Sequence, residues 1–183
     1  GSDDDVLTLA SGVPSWAAAA SGGLLQVKQS VQTVTQSITG DSSTWVDATN
    51  LTVDVTPAAT GNKILVMANI NLGGKPGYGL MIRLVRDSTP IYVTTDPIGT
   101  QQEASWSGIL TNTTGGGNTM IWNINQTFLD NPSTTSATTY KIQWLGEATE
   151  VYYINRREND GSNAYSSKAT SSITVMEIAS GAL

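Results

Sequence analysis

Residues 51–55 read LTVDV, and this alternation constrains the chain more than any other feature. Successive side chains of an extended strand point to opposite faces, so Leu51, Val53 and Val55 share one side and Thr52 and Asp54 the other. Such a strand is dry on one face and wet on the other. The same period recurs downstream. Thr119–Leu129 places Met120, Trp122, Ile124 and Phe128 on one face, and Tyr140, Ile142 and Trp144 share another. Ile64–Leu72, Leu80–Val85, Val151–Asn155 and Ser172–Ile178 complete the set. The connections PAATGNK, DSTP, TTGGGN and ENDGSN carry the Gly, Pro, Asn and Asp that turns require. Eight to ten strands without a convincing amphipathic helix predict an all-β chain, an antiparallel β-sandwich of jelly-roll-like form.

Residues 24–38, LLQVKQSVQTVTQSI, admit two readings. Leu24, Val27, Val31, Val34 and Ile38 fall at coiled-coil spacing, which would make a helical stalk. Val, Thr, Ser and Gln fill most of the stretch, however, and β-branched side chains suit a pleated strand. The segment has no Ala or Glu, and the heptad lasts barely two repeats. We read a strand, kinked between Val31 and Val34, where the period slips as at a β-bulge.

The 183 residues suit one domain with an ample core. Residues 1–23 differ in composition and read as a connector to an upstream segment, with a turn at Ser11–Pro14 and a hinge at Gly22-Gly23; residues 24–183 are the β-sandwich head. Gly1-Ser2 reads as a cloning scar, and no signal peptide is visible. Only 13% of residues are charged and the net charge is −6, which argues against nucleic acid and acidic membrane surfaces as partners. No apolar run approaches the ~20 residues of a membrane span, so no membrane insertion is expected.

Cys and His are both absent. Disulfides, a Ser-His-Asp triad and a conventional zinc site are therefore impossible. Asp3–Asp5 cannot alone supply the 6–8 oxygen ligands of a calcium cage. We expect no metal and no cofactor. The acid pairs Glu147/Glu150 and Glu158/Asp160 invite a glycosidase reading, but such chemistry needs two carboxylates at set separations across a cleft. We expect no enzyme.

Two strands are apolar on both sides. SITVMEI places Ile173 and Val175 opposite Met176 and Ile178, and ILVMANI places Ile64, Val66 and Ile70 opposite Leu65 and Met67. One face of each strand meets the core. The other must be covered by a loop, by the connector or by a second copy, and we favour the copy because large bare apolar patches mark interfaces. Leu65, Met67, Met176 and Ile178 are thus interface candidates. Arg83, between Met81 and Val85, needs a partner or an exposed edge and joins them.

Binding residues are sought on the longer loops, Thr94–Ser105, Asn112–Asn118 and Arg156–Lys168. The last concentrates Arg156, Arg157, Asn163 and Tyr165, and guanidinium groups there can grip an anionic or hydroxyl-rich glycan, unless the loop's charges simply pair with each other. Trp106 lies in a polar segment and is either a buried anchor or a ligand platform. Tyr78 sits in the turn GKPGYG, exposed or capping the core edge. Trp122 and Trp144 read as core.

Taken in order, DVLTLASGVPSW, LLQVKQSVQT, WVDATNLTVDVTP, NKILVMANINL, IRLVRDSTPI, FLDNPSTTSATTYKIQWLG, VYYINR and SITVMEI resemble the C-terminal head domains of tail fibre proteins of tailed bacteriophages of the marine or cyanophage type. The likeness covers most of residues 5–178, and its specificity lies in the order of the pieces. It implies a homotrimer on a virion appendage, joined to an upstream fibre shaft or other virion proteins. It also implies host attachment through non-covalent binding to a surface glycan or protein. The alternative is a structural trimerisation or tip module that binds no receptor, and less favoured still is a polysaccharide depolymerase.

Overall fold

The computed structural model describes residues 5–18, 23–109, 120–164 and 166–182. Its described residues form strands, turns and one 3-10 turn at Ser180–Ala182, with no α-helix among them. The strands are β1 (Asp5–Ala10), β2 (Val13–Ala18), β3 (Leu24–Gln32), β4 (Gln36–Thr39), β5 (Val46–Val55), β6 (Lys63–Gly74) and β7 (Gly79–Arg86). They continue with β8 (Thr89–Ile91), β9 (Trp106–Ile109), β10 (Trp122–Asp130), β11 (Thr138–Gly146), β12 (Val151–Ile154) and β13 (Ser171–Ile178).

β1 and β2 form a hairpin that is a sheet by itself. Ser11 and Gly12 both take positive φ, 53° and 80°, as a two-residue turn of the I′ kind requires. The turn expected at Ser11–Pro14 thus falls at Ser11-Gly12, and the segment on either side of it is paired. Trp16 on β2 is 60% exposed.

The remaining strands make two antiparallel sheets. β10 occupies one edge of β6 over residues 64–72, so β13 and β12, which pair with β6 over 63–69 and 72–74, must share its other edge end to end. β3 and β4 then continue outward against β13 and β12. The second sheet runs β5–β11–β7, with β8 and β9 end to end on the far edge of β7. First pairs with last, second with second-last, and so inward: β3/β4 with β12/β13, β5 with β11, β6 with β10, β7 with β8/β9. That nesting is the jelly-roll form of the sandwich.

Alternation fills the space between the sheets as the sequence predicts. Leu51, Val53, Val55, Ile64, Val66, Ile70, Leu80, Ile82, Tyr140, Ile142, Trp144, Ile173 and Val175 are all buried in one core. Trp122 and Phe128 pack against it only partly, and Met120 lies outside β10 and is exposed. Two polar groups that the patterns did not single out tie this interior together. Asp130 receives both Arg86 Nη1 (2.8–2.9 Å) and the buried Tyr140 hydroxyl (2.6 Å), joining β10 to β7 and β11. Glu177 is fully buried at the end of the sandwich, where it accepts from Ala58 N–H, Asn62 Nδ2 and Gln26 Nε2.

The segment 24–38 is a strand with an interruption at 33–35 in place of the expected bulge. Its cause is Asn155, at φ 67°, which ends β12. Its amide donates to Gln32 O (2.7 Å) and Val34 O (3.0 Å), and its side-chain oxygen accepts from Ser171 Oγ (2.6 Å). Its own N–H reaches Asn71 O and its carbonyl accepts Ala169 N–H. One residue thus breaks two neighbouring strands together. The chain leaves the sheet at 156 and returns at 169, and it crosses close to β6 because a Cβ on Gly73 would stand 2.1 Å from Arg156 O.

Candidate functional site

The second sheet carries a network along its outward side. Lys141 Nζ and Gln143 Nε2 hold the two oxygens of Asp47 at 2.8 and 2.6 Å. Burial would raise the Asp47 carboxyl, but Lys141 and Gln143 outweigh it and hold the group below the usual range. Gln143 Oε1 accepts from Arg83 Nε at 2.8 Å, and the Arg83 guanidinium lies 4.3 Å over the Trp45 ring. Trp45 Nε1 in turn donates to Gln102 Oε1 at 3.2 Å. Arg83, expected to need a partner from another subunit or an exposed edge, is satisfied within its own chain, so that reason for placing it at an interface falls away.

Gln102 belongs to the excursion between β8 and β9. Thr94 N–H to Ala104 O closes the loop, and the backbone of Ser105 is anchored to Ile82 O. Inside it, Gln101 Oε1 accepts from Ile98 N–H at 2.9 Å. The loop is therefore a braced wall. Facing it is the turn before β5, where Asp41 Oδ1 accepts from the N–H groups of Ser43 and Thr44 at 2.8 and 2.7 Å. Hydrogen bonds from Thr44 and Ser43 push the Asp41 carboxyl down to about 2. Ser42 is pinned on both sides: its N–H donates to Gly146 O, and its Oγ accepts from Ala148 N–H.

Between these walls lies an open cleft of about 760 Å³. Ser42 and Ser43 form one side and Thr100, Gln101 and Gln102 the other, over a floor of Gly79, Met81, Ser107 and Gly108, with Glu147 also lining it. Glu147 Oε2 accepts from Gly79 N–H at 2.7 Å, which fixes the carboxylate to the floor. Hydroxyls, carboxamides and one thioether line the space. No cation is among the lining residues described, and Glu147 is the one carboxylate. Clefts of this size with few fixed polar groups are where small ligands bind.

The loops named from sequence fare differently. Thr94–Ser105 supplies three lining residues. Trp106 is half-buried, packs against the core and touches Gly108 from below, so the neighbours Ser107 and Gly108 reach the cleft and the indole does not line it. Tyr78 packs at the core edge with Lys75 Nζ 5.0 Å from its ring. Arg156 is engaged by its own loop: Nε donates to Arg157 O, Nη2 to Glu158 O, and the guanidinium lies 4.1 Å from the Tyr153 ring. Arg157 donates to Ser166 Oγ, which also bonds Asn163 Oδ1. Asp160 pairs with Lys168 and Arg156. The Asp160 pairs and the loop's own carbonyls and hydroxyls take up most of these charges, while Arg157 Nε and Glu158 Oε2 are buried without a hydrogen-bond partner among the described residues; none of these groups lines the cleft. Tyr165 and the loop Asn112–Asn118 lie outside the described residues.

Sequence reasoning missed Ser42, Ser43, Met81 and Glu147 as one constellation, because they come from three separate strand ends. The one local signal was Asp41-Ser42-Ser43-Thr44, an acid followed by hydroxyl residues that forms an Asx-type turn.

The four interface candidates on the other sheet are half-buried and face outward. The register puts Val27, Met176, Leu65 and Leu129 in one row across it, with Leu24, Ile178 and Lys63 beside them. Further along the sheet the outward positions turn polar, and Asn69, Asn71, Asn123 and Asn125 bond to one another through their amides.

Fold and site together define an antiparallel jelly-roll sandwich with a polar cleft, free of cations among its described lining residues, on one sheet and an outward apolar row on the other. No family model and no curated protein sequence matches the chain. Among solved structures it is weakly similar to that of infectious bursal disease virus, Gx strain, with a TM-score of 0.35 and 9% identity over 96% of this chain and 42% of that one. It is similarly close to the infectious bursal disease virus VP2 subviral particle, with a TM-score of 0.36 and 9% identity over 95% of this chain and 46% of that one. The chain spans less than half the length of either.

Proposed function

We propose that this chain is a non-enzymatic attachment head of a virion appendage of the tail fibre kind, holding a neutral surface saccharide in the cleft between residues 42–43 and 100–102. One observation carries the reading: a preformed space walled by Ser, Thr and Gln side chains, its two walls braced by the Asp41 turn and the Trp45–Gln102 bond. Sugar hydroxyls both donate and accept, as the lining groups do, and the Met81 side chain offers apolar contact to a ring's C–H face. Braced walls lose little entropy on binding. The absence of cations from the described lining and the net charge of −6 speak for a neutral ligand over an acidic polysaccharide. Among the described lining residues Glu147 faces no second carboxylate, which speaks for binding without turnover.

The experiment is adsorption of the isolated protein to host cells, followed by a neutral-glycan array. Ser107→Trp fills the floor and should weaken binding at least tenfold while the thermal midpoint stays put. Unchanged adsorption by that variant removes the cleft from the reading.

The outward row of the other sheet favours assembly, and we read the chain as a homotrimer on this ground and on the resemblance to fibre heads. Light scattering across a concentration series tests it, and a persistent monomer rejects it.

A further inference from the structure

Glu147, the one carboxylate among the described residues lining the cleft, is fixed at three points. Its N–H donates to Gly79 O at 2.9 Å, its carbonyl accepts the Tyr152 hydroxyl at 2.8 Å, and its Oε2 accepts Gly79 N–H at 2.7 Å. Only a glycine leaves room for this, because a Cβ at position 79 would stand 3.0 Å from Oε2. The second oxygen, Oε1, receives no hydrogen bond among the described residues. Nor is the charge balanced. All 9 Lys and Arg side chains of the protein lie within the described residues, and none forms an ion pair with Glu147. Beside it, Ser42 Oγ already accepts from Ala148 N–H at 2.9 Å, which leaves the hydroxyl proton for a ligand.

We infer that Glu147 sets the selectivity of the cleft: Oε1 accepts a hydroxyl of the bound saccharide, and its unbalanced charge turns away saccharides that carry carboxylate, phosphate or sulfate. This rests on the saccharide reading above and names the residue that enforces it. A hydrogen bond to an ionised acceptor is roughly twice as strong as one between neutral groups, so the hydroxyl that meets Oε1 anchors the ligand. Held through its backbone and its side chain, the carboxylate does not swing aside for an anion. No guanidinium or ammonium among the described lining residues takes that anion instead, so the repulsion stands. The donor at Ser42 and the acceptor at Glu147 sit on two turns joined by the Ser42–Ala148 bond, which suits a polyol offering both an acceptor and a donor.

Glu147→Gln probes this with little change of shape. Gly79 N–H claims the oxygen of the new carboxamide, so its NH2 turns into the cleft and a free acceptor becomes a donor. The probe is an array of neutral oligosaccharides and their uronate-, sialate- and sulfate-bearing counterparts, with Ser107→Trp marking which signals come from the cleft. The wild-type protein should bind neutral members only. Glu147→Gln should lose about tenfold on these and take up acidic members, at an unchanged thermal midpoint. Asp54→Asn removes the same charge at the far end of β11, where Asp54 pairs with Thr139, and should leave the pattern alone. Salt needs no substitution: raising it from about 0.05 M to about 1 M shortens the screening length to about 3 Å and should admit acidic members to the wild-type cleft. Four results overturn the inference and leave the saccharide reading standing. They are a wild-type pattern in Glu147→Gln, an equal shift in Asp54→Asn, acidic members bound in the wild-type cleft at low salt, and exclusion unchanged at high salt. A wild-type protein that binds no member, or binds regardless of Ser107→Trp, ends both readings.

Discussion

The two outward sheet faces solve the same problem in opposite ways. On β5–β11–β7 every charge in the central network meets a partner from the same chain: Asp47 with Lys141 and Gln143, Arg83 with Gln143 and the Trp45 ring. That face is complete in water. On β13–β6–β10 the outward row is Met176, Leu65 and Leu129, and the hydrogen-bonding groups are gathered at the far end as an asparagine cluster. The lesson is that a sheet face leaves apolar surface exposed when its polar groups are segregated from its apolar ones. A mixed face satisfies itself, and here it is the mixed face that holds a ligand-sized cleft.

The largest expected effect tests what keeps the apolar-faced sheet in register at all. Its strands are interrupted at Asn155, whose amide and carbonyl groups serve β3, the 33–35 interruption and β13 at once. Asn155→Ala removes the amide donor to Gln32 O and Val34 O and the acceptor of the Ser171 hydroxyl, leaving Val34 O with Gln32 Nε2 and Ser171 Oγ with Asn71 N–H, and it puts a less tolerant residue at φ 67°. A loss of about 3–4 kcal/mol in urea unfolding is expected from three lost side-chain bonds in a buried setting together with the strain at a positive φ. A loss below about 1 kcal/mol would mean that the interruption is held elsewhere, in the loop's own hydrogen bonds.

Next in size is the response to acid. Burial would raise the Glu177 carboxyl, but Gln26, Asn62 and the Ala58 N–H outweigh that and hold it below its ordinary value of 4.5. A depressed folded-state pKa gives stability that is fully present above the unfolded value, and it is lost as pH falls through the lowered one. Unfolding free energy should therefore decline below about pH 4.5, and the decline should be shallower in Glu177→Gln, which keeps an acceptor but cannot titrate. Identical acid limbs for the two proteins would remove Glu177 from the account. Because Glu177 joins β3 to the β5–β6 connection, the softened region should be the apolar end of the β13–β6 sheet. Hydrogen exchange shows where protection is lost.

Most of the fold is legible in the sequence because period two is a local signal. Leu51, Val53 and Val55 are buried and Thr52 and Asp54 exposed, as LTVDV requires, and Leu65 and Met67 face away from Ile64 and Val66. What is illegible is whatever depends on partners distant in sequence. Arg83 looks like a charge in need of a neighbour until Trp45 and Gln143 arrive from other strands. RRENDGSN looks like a glycan grip until Arg156 turns onto its own loop's carbonyls. Hairpin pairing of β1 with β2 was within reach, since Ser11-Gly12 between two short apolar runs is a turn signal, but Pro14 and the alanines obscured the second run.

The smallest effect belongs to the satisfied face. Lys141 holds Asp47 at 2.8 Å, but Asp47 is 54% exposed and keeps its bond to Gln143 when Lys141 is removed. An exposed pair of this kind contributes about 0.2–1 kcal/mol, and salt screens it. Lys141→Ala should cost that much or less at low ionic strength and nothing measurable at about 1 M salt, where the screening length is about 3 Å. The contrast with the other sheet then becomes quantitative. Met176→Glu leaves the single sandwich folded, because the side chain faces outward, yet it places a charge in the apolar row that the proposed assembly would bury. If both substitutions leave stability and light scattering unchanged, the two faces are equivalent in water, and segregation of polar from apolar groups has no bearing on assembly. If Met176→Glu alone dissolves the assembly while Lys141→Ala does not, the apolar row holds the copies together and the charged network holds only its own sheet.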